Sequence, residues 1–513
     1  MSYIYKLSPL NLHQKVGLIC AMLLFNFALF YSPSYAQNSA ADQTYIEIRG
    51  MVRDAKAGSP LPYANIYLSA SGSGTVSNEE GRFQIDVPEK FVDDSLRFQF
   101  IGYYTHTLSV DDVRNHPVID LTENIVDLSE MVIYGTTPDA QSIVKQVLEN
   151  KDRNYKKVTR HKQVFIRQRY TTKVIRMKID SKKSSLKEFQ EAELKMLTRN
   201  IPKVSLSFTD FLGNFYASSV QPDTSNVKIR PTRIVRLRKP KNSELDKLEE
   251  TFNDIMKKTG DDAYWKVRTG ILSKKIDVTV PDSTARDSFK AGKARVAHYR
   301  WRMQNSMKFA SFENEEYWDF LHNTGRYNYS VLGGTRIGNE EVFIIGFTPA
   351  WRGLLMGKLY ISTTSYALLR ADFGYAPSKS GTDISLLGIS YNENLLEGSV
   401  IFQKMDYGYE LKYMSLRTGD EGGIDRTVSF LKKRNRFLFD KTEDEVKFAV
   451  DVVTQSESSV EVMVLDQSPV SEAVFNSITE RKFMDVHYVD QFDETLWKGY
   501  SIIQPIETMR TFR

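Results

Sequence analysis

From Gly50 to Tyr103 the chain is cut into short pieces by Gly, Pro, Asn and Ser, and the pieces alternate apolar with polar residues. Ile46/Ile48, Ala64/Ile66/Leu68, Phe83/Ile85/Val87 and Leu96/Phe98/Phe100 each repeat with a period of two, which sends successive side chains to opposite sides of a strand. Short half-buried strands at such spacing predict a small β-sandwich. Glu80-Gly81 suits a tight turn, because Gly takes positive φ without a Cβ clash.

The same residues carry a family resemblance. Gly50-Met51-Val52-Arg53-Asp54, Pro60-Leu61-Pro62-Tyr63-Ala64-Asn65-Ile66, Gly74-Thr75-Val76-Ser77-Asn78-Glu79-Glu80-Gly81-Arg82-Phe83, Val87-Pro88 and Ile101-Gly102-Tyr103 follow in the order of the carboxypeptidase-regulatory-like domain. The resemblance implies a transthyretin-like, immunoglobulin-like sandwich without catalytic residues, of the kind found at the N-termini of Bacteroidota envelope proteins, including TonB-dependent transporters. Ser77-Asn78 stands where an acidic residue often precedes the turn, which speaks against calcium at that loop.

Residues 1–36 carry Lys6 and Lys15 but no acid, then an apolar run from Val16 to Phe30 and Ser34-Tyr35-Ala36, the pattern of a secretory signal peptide cleaved after Ala36. The run is shorter than the roughly 20 residues of a membrane span. Cys20 is the chain's one cysteine, and Leu18-Ile19 before it lacks the small residue that lipoprotein processing prefers. With Cys20 removed, disulfides, thiol nucleophiles and cysteine metal sites are excluded.

Beyond the sandwich, Val126 to Gly135 alternates like a strand, and Thr137-Pro138-Asp139 opens a helix whose apolar face is Ala140, Ile143, Val144, Val147 and Leu148. The pattern from Asp139 to Tyr155 resembles a connector in uncharacterised envelope proteins and is expected to dock the sandwich on the next domain. Longer alternating runs follow, at Val164/Ile166, Val204/Leu206/Phe208, and in a series from Tyr327 to Met414. They suit one large antiparallel curved sheet. Phe343, Ile345, Phe347 and Pro349, then Gly357-Lys358-Leu359-Tyr360-Ile361 and Tyr366-Ala367-Leu368 to Arg370, resemble the half-barrel of lipoprotein carriers and lipoprotein-sorting relatives. Helices are expected at Leu186–Arg199 and Leu245–Lys258, the second capped by Ser243 and closed by Gly260, to cover that sheet. The C-terminal part is expected to hold a strand at Val460–Leu465 and a short helix near Glu472–Glu480. Its Trp497 and Tyr500 share a face and pack the tail back on the sheet.

Chemistry-bearing motifs are scarce. The sequence contains no H-E-x-x-H, G-x-S-x-G, Walker, EF-hand or dinucleotide pattern. Asp485, His487 and Asp490 form the nearest thing to a metal cluster and read as an ordinary polar turn; Ser184-x-x-Lys187 lacks the partner motifs of penicillin-recognising enzymes. No cofactor is expected. Charge, in contrast, is segregated: residues 156–199 hold fourteen Lys and Arg against four acids in a chain whose net charge is only +5. Arg230, Arg233, Arg236, Arg238, Lys239 and Lys241 continue the basic stretch. Because Arg230, Arg236 and Arg238 alternate with Ile229, Val235 and Leu237, a strand would present a basic side to an acidic protein loop or anionic lipid headgroups.

The expected architecture is mainly β with inserted helices. It runs as signal peptide 1–36, immunoglobulin-like or transthyretin-like sandwich 37–125, strand and docking helix 126–158, large antiparallel half-barrel-like sheet 159–430, and α/β tail 431–513. The first functional reading is a non-catalytic exported envelope protein, periplasmic or outer-membrane-associated, serving as a scaffold or accessory subunit in outer-membrane protein assembly or transport. Its partners are then outer-membrane or periplasmic proteins and not nucleic acid. A periplasmic lipid or lipoprotein carrier is the second reading, and an unrecognised hydrolase the third.

Overall fold

The computed structural model describes residues 45–124, 139–199, 201–220, 226–238, 263–270, 272–276, 293–337, 340–436 and 439–512. The signal segment, the strand expected at 126–135 and the helix expected at Leu245–Lys258 lie outside them.

Seven short strands build the N-terminal unit: β1 (Tyr45–Asp54), β2 (Asn65–Leu68), β3 (Gly74–Val76), β4 (Arg82–Pro88), β5 (Ser95–Gln99), β6 (His106–Ser109) and β7 (Val118–Leu121). They form two sheets, ordered β4-β1-β7 and β3-β2-β5-β6. Ile48, Val52, Ile66, Leu68, Phe83, Ile85, Val87, Leu96 and Phe98 share one core, so the period-two pattern maps onto the inward faces. Gly81 sits at φ +72°, and a Cβ there would lie 2.5 Å from the Val52 carbonyl, so Gly is required twice over.

A connecting helix, Ala140–Glu149, follows. Asp139 caps it, accepting from the Ser142 N–H at 2.9 Å, so the cap is Asp139 itself. Ile143, Val144 and Val147 are buried on its inward face, and the helix packs against the strand Tyr327–Ile337 and the turn Asp319–His322, both part of the large domain.

The remaining strands are β8 (Arg160–Ser184), β9 (Val204–Ala217), β10 (Val227–Arg238), β11 (Ala263–Thr269), β12 (Leu272–Ile276), β13 (Lys293–Arg295), β14 (Tyr327–Ile337), β15 (Glu340–Pro349), β16 (Leu355–Ser362), β17 (Leu368–Tyr375), β18 (Asp383–Leu386), β19 (Ile389–Met405), β20 (Gly408–Arg434), β21 (Lys441–Pro469), β22 (Phe483–Asp485) and β23 (His487–Val489). Among the described residues one 14-stranded curved sheet runs β14-β15-β16-β17-β19-β20-β21-β8-β9-β10-β23, with β11, β12 and β18 attached at its margins. Its pairings are antiparallel except for the short one between β10 and β23. The strand expected at Val460–Leu465 is the end of a 29-residue strand, β21, because the polar Thr, Ser and Gln of its middle pair with β8 and β20 throughout. The expected helix at Leu186–Arg199 is shorter: Gln190 is extended, dividing a 3-10 turn at Lys187–Phe189 from a helix at Glu191–Arg199.

One face of the sheet, here the inner face, is covered by the connecting helix and by an insertion between β13 and β14. That insertion is a helix at Val296–Phe309 followed by turns carrying Phe312, Trp318, Phe320 and Leu321. Phe320 stacks on Phe347 at 4.4 Å, Trp318 lies between Phe312 and Phe373, and the Trp318 indole N–H donates to the Phe309 carbonyl at 2.9 Å. Among the described residues the inner face over β14–β19 thus carries an aromatic core.

Two lysines are buried within the sheet. Lys162 pairs with Glu410 at 3.1 Å, whereas the Lys412 ammonium donates to the Val464 carbonyl at 3.1 Å. Burial pushes both down to about 8, against an ordinary 10.5. For Lys412, the unfolded chain holds a proton between about pH 8 and 10.5 that the native state has lost, so this group makes stability rise with pH across that window. Lys412→Met is therefore expected to raise stability at pH 7 by roughly 1–4 kcal/mol. It should also flatten the alkaline rise, as read from denaturant midpoints at pH 7 and 9.5. A lower midpoint at pH 7 would refute this account.

Candidate partner-binding surface

The opposite, outer face of the sheet is where the N-terminal sandwich and the C-terminal tail meet. Phe165, Leu212, Val235, Tyr413 and Met463 point outward from five strands and form one core with Val76 of the sandwich and Trp497, Ile502 and Ile503 of the tail. Trp497 lies edge-on to Phe165 at 5.4 Å, and Tyr63 of the sandwich stacks on Tyr413 at 4.7 Å.

Polar contacts fix the register of this three-way junction. Arg167 on β8 donates to both oxygens of Asp210 on β9, at 2.9 and 2.7 Å, and with its third nitrogen to the Ile503 carbonyl at 2.8 Å. Both side chains are buried. The sandwich meets the tail through the residues of its turn signature. The Thr75 hydroxyl donates to the Ile502 carbonyl at 3.1 Å and the Asn78 amide to the Gln504 carbonyl at 3.1 Å, while Glu80 accepts from the Glu507 N–H at 2.9 Å. Asn78 simultaneously accepts from the N–H groups of Glu80 and Arg82, both at 2.9 Å, so one side chain closes the turn and holds the tail.

The six basic residues singled out from the sequence do not form one face. Register shifts between Pro231 and Arg233, where β10 carries an extra residue. Ile229 and Ile234, five residues apart, consequently both point into the inner core. Arg230 is exposed on the other side of the strand from Ile229. After the bulge the phase is reversed: Arg233 turns outward, donates to the Leu496 carbonyl and lies over the Tyr500 ring at 5.4 Å, while Arg236 follows Ile234 to the inner side. Arg230 and Arg236 thus leave on opposite faces, which corrects the expected single basic side. Arg238 ends β10, and Lys239 and Lys241 lie outside the described residues.

On the inner face a small, half-open cleft lies between the helix Val296–Phe309 and β8–β9, lined by Ile166, Gln168, Thr209, Phe211, Tyr299 and Arg302 among others; its volume is only ≈ 10 Å³. That is about the volume needed for one water. Near the end of β10, burial pushes His487 below its ordinary value, helped by Arg233 and opposed by Asp485. Among the described residues no group of three or more His, Cys, Asp or Glu is placed to hold a metal. No described helix is long and apolar enough to cross a membrane.

Residues 48–133 match the CarboxypepD_reg-like domain model. The N-terminal sandwich thus has the resemblance its turn signature carried, over residues that include the tail-binding Thr75, Asn78 and Glu80. A TonB-dependent receptor P3 of Formosa agariphila is 31% identical over 88 residues, 17% of this chain and 8% of that relative. The chain therefore spans less than a tenth of that relative's length. Among solved structures, a LolA superfamily protein of Nitrosomonas europaea aligns over 66% of this chain and 98% of its own, at 11% identity and a TM-score of 0.17. A putative outer membrane lipoprotein-sorting protein domain of Vibrio parahaemolyticus aligns over 66% and 97%, at 10% identity and a TM-score of 0.20.

Two outcomes test the junction. Asp210→Ala leaves Arg167 buried without its carboxylate and should cost about 3–5 kcal/mol. It should also release residues 494–512 to limited proteolysis before the sheet is cut. Separately, the Glu461 carboxyl accepts from the Tyr413 hydroxyl at 2.9 Å and is pushed up to about 7 by burial, with Arg167 opposing. Between pH 4.5 and about 7 the native state holds a proton that the unfolded chain has released, so this group's contribution falls as pH rises. Glu461→Gln should remove that decline, measured by denaturant titration at pH 5 and pH 8. An equal decline in the variant would place its origin elsewhere.

Proposed function

We propose that this chain is an exported, envelope-associated, non-catalytic binding protein that acts as a scaffold or accessory subunit for outer-membrane protein assembly or transport. The observation that carries the reading is the three-way junction: sandwich, sheet and tail are joined through a buried ion pair, an aromatic core and main-chain hydrogen bonds. Parts joined in this way would present their surfaces in fixed relation to one another, the property a scaffold needs. The leader-like residues 1–36 support export, and the TonB-dependent receptor that shares the sandwich stretch supports an envelope setting. Exposed Trp351, Leu354 and Met356, with Arg352 over the Trp351 ring at 4.3 Å, offer a separate contact patch at the β15–β16 turn.

A carrier would need space for acyl chains, and among the described residues the inner face over β14–β19 is occupied by the protein's own aromatic side chains. Cavities that hold drug-sized ligands measure roughly 300–1,000 Å³.

The test is native mass spectrometry of the protein gently extracted from its own envelope. Outer-membrane proteins at fixed stoichiometry are the expected result. A solitary chain carrying a lipid or acyl mass would overturn the scaffold reading in favour of a carrier.

A further inference from the structure

Large apolar side chains left in water are mostly scattered singly over the described surface, but they gather at the turn between β15 and β16. Trp351 is 81% exposed there, and Leu354 and Met356 are exposed beside it. Met356 and Lys358 leave β16 on the side away from Leu355 and Leu359, which belong to the inner core, so both lie on the outer face. Leu332 of β14, also exposed, covers Gly346 of β15 on that same face, and Gly346 is opposite Lys358.

The turn is held firmly at its base. The Ala350 N–H donates to the Arg326 carbonyl at 2.8 Å, and the Leu354 carbonyl accepts from the Ala376 N–H at 2.9 Å. Gly353 sits so close to Tyr327 that a Cβ would lie 2.7 Å from the Arg326 carbonyl. The apolar side chains are therefore offered outward from a braced backbone. Their charged neighbours are basic. Arg352 lies over the Trp351 ring at 4.3 Å, and Lys358 and Lys379, the latter on the segment that braces Leu354, are exposed. From Val342 to Ala371 the sequence holds Arg352, Lys358 and Arg370 and no acid.

We infer that this turn is a membrane contact: Trp351, Leu354 and Met356 enter the interfacial layer of an anionic bilayer while Arg352, Lys358 and Lys379 meet its headgroups. The shape and size of the patch favour lipid over protein. A stable protein interface takes about 800 Å² from each partner and a surface that matches in shape, and a few side chains on one projecting turn fall short of that. A lipid interface accepts a projecting indole without a matching pocket, because the ring has an apolar body and a polar N–H that suit the boundary. Long basic side chains keep their charge at headgroup level while their stems follow the apolar groups inward, and an anionic surface attracts them. The inference rests on the envelope-associated reading for its setting and not on the scaffold role.

The experiment uses the protein as isolated from its own envelope, in parent and variant forms that share one N-terminus. Phosphatidylglycerol and phosphatidylcholine vesicles are the probes, read by flotation and by tryptophan emission. Selective flotation with phosphatidylglycerol and a blue shift of the emission are expected. Trp351→Ala should weaken flotation about tenfold or more, the scale of one large apolar side chain leaving water, and should remove the shift. Arg352→Gln should reduce the preference for the anionic lipid. Tyr104→Ala, which removes an exposed aromatic side chain of the sandwich, should leave both responses unchanged. Trp351 is mostly in water in the folded chain, so Trp351→Ala should keep the melting temperature and lost flotation is not unfolding. Absence of flotation, equal flotation with both lipids, or equal flotation of the Trp351 variant would overturn the inference. If instead the parent ignores lipid and Trp351→Ala loses a protein otherwise present at fixed stoichiometry in native mass spectra, the turn belongs to that protein: the membrane contact falls and the scaffold reading stands.

Discussion

Everything on the outer face depends on the contact of Arg167 with Asp210 and the Ile503 carbonyl. An arginine this deep in a sheet is tolerable only when its donors are satisfied, and here the neighbouring strand and the tail each contribute. The geometry couples tertiary elements that share no sequence proximity: without the tail one donor of Arg167 is orphaned, and without the sandwich the carbonyls of Ile502 and Gln504 lose their partners. Trp497 supplies the apolar part of the same joint. The polar contacts set register while the aromatic ones supply most of the area removed from water.

Much of this architecture was legible in the sequence, and the limits have physical causes. Period-two alternation located the sandwich strands, and the turn signature identified the family resemblance. What the signature could not reveal is that Thr75, Asn78 and Glu80 face the tail, because a contact spanning some 427 positions leaves no local pattern. Strand length failed for β21 because alternation was the criterion, and the middle of this strand is half-buried on both faces with polar Thr, Gln and Ser in sequence. The basic strand failed for a different reason. A single extra residue beside Pro231 reverses which side every later residue occupies, and proline, which offers no N–H to a ladder, was the available warning.

The inserted segment decides what the inner face can do. Phe309, Phe312, Trp318 and Phe320 come from a stretch with no helical or strand periodicity over much of its length, yet they fill the space against β14–β19. A sheet of this extent has two apolar faces to cover, and the chain covers one with its own insertion and the other with its own ends. Among the described residues, a stretch of sheet face left half-open is the middle of β21 and the paired half of β8, whose side chains are intermediate or exposed.

Arg167 and Arg236 show how one sheet gives the same side chain opposite fates. They lie in adjacent cross-strand rows, Arg167 with Asp210 and Val235, and Arg236 with Thr209 and Gln168. The pleat sends the first row outward and the second inward. Outward, a carboxylate stands on the neighbouring strand; inward, the corresponding position is a threonine. Had residue 209 been acidic, the inner row would hold a cross-strand ion pair like the outer one. A hydroxyl there can donate or accept a hydrogen bond but cannot neutralise a guanidinium, so β9 supplies no counter-charge to the inner row. Whether an arginine of this sheet is paired across the ladder is thus set by one side chain on the next strand.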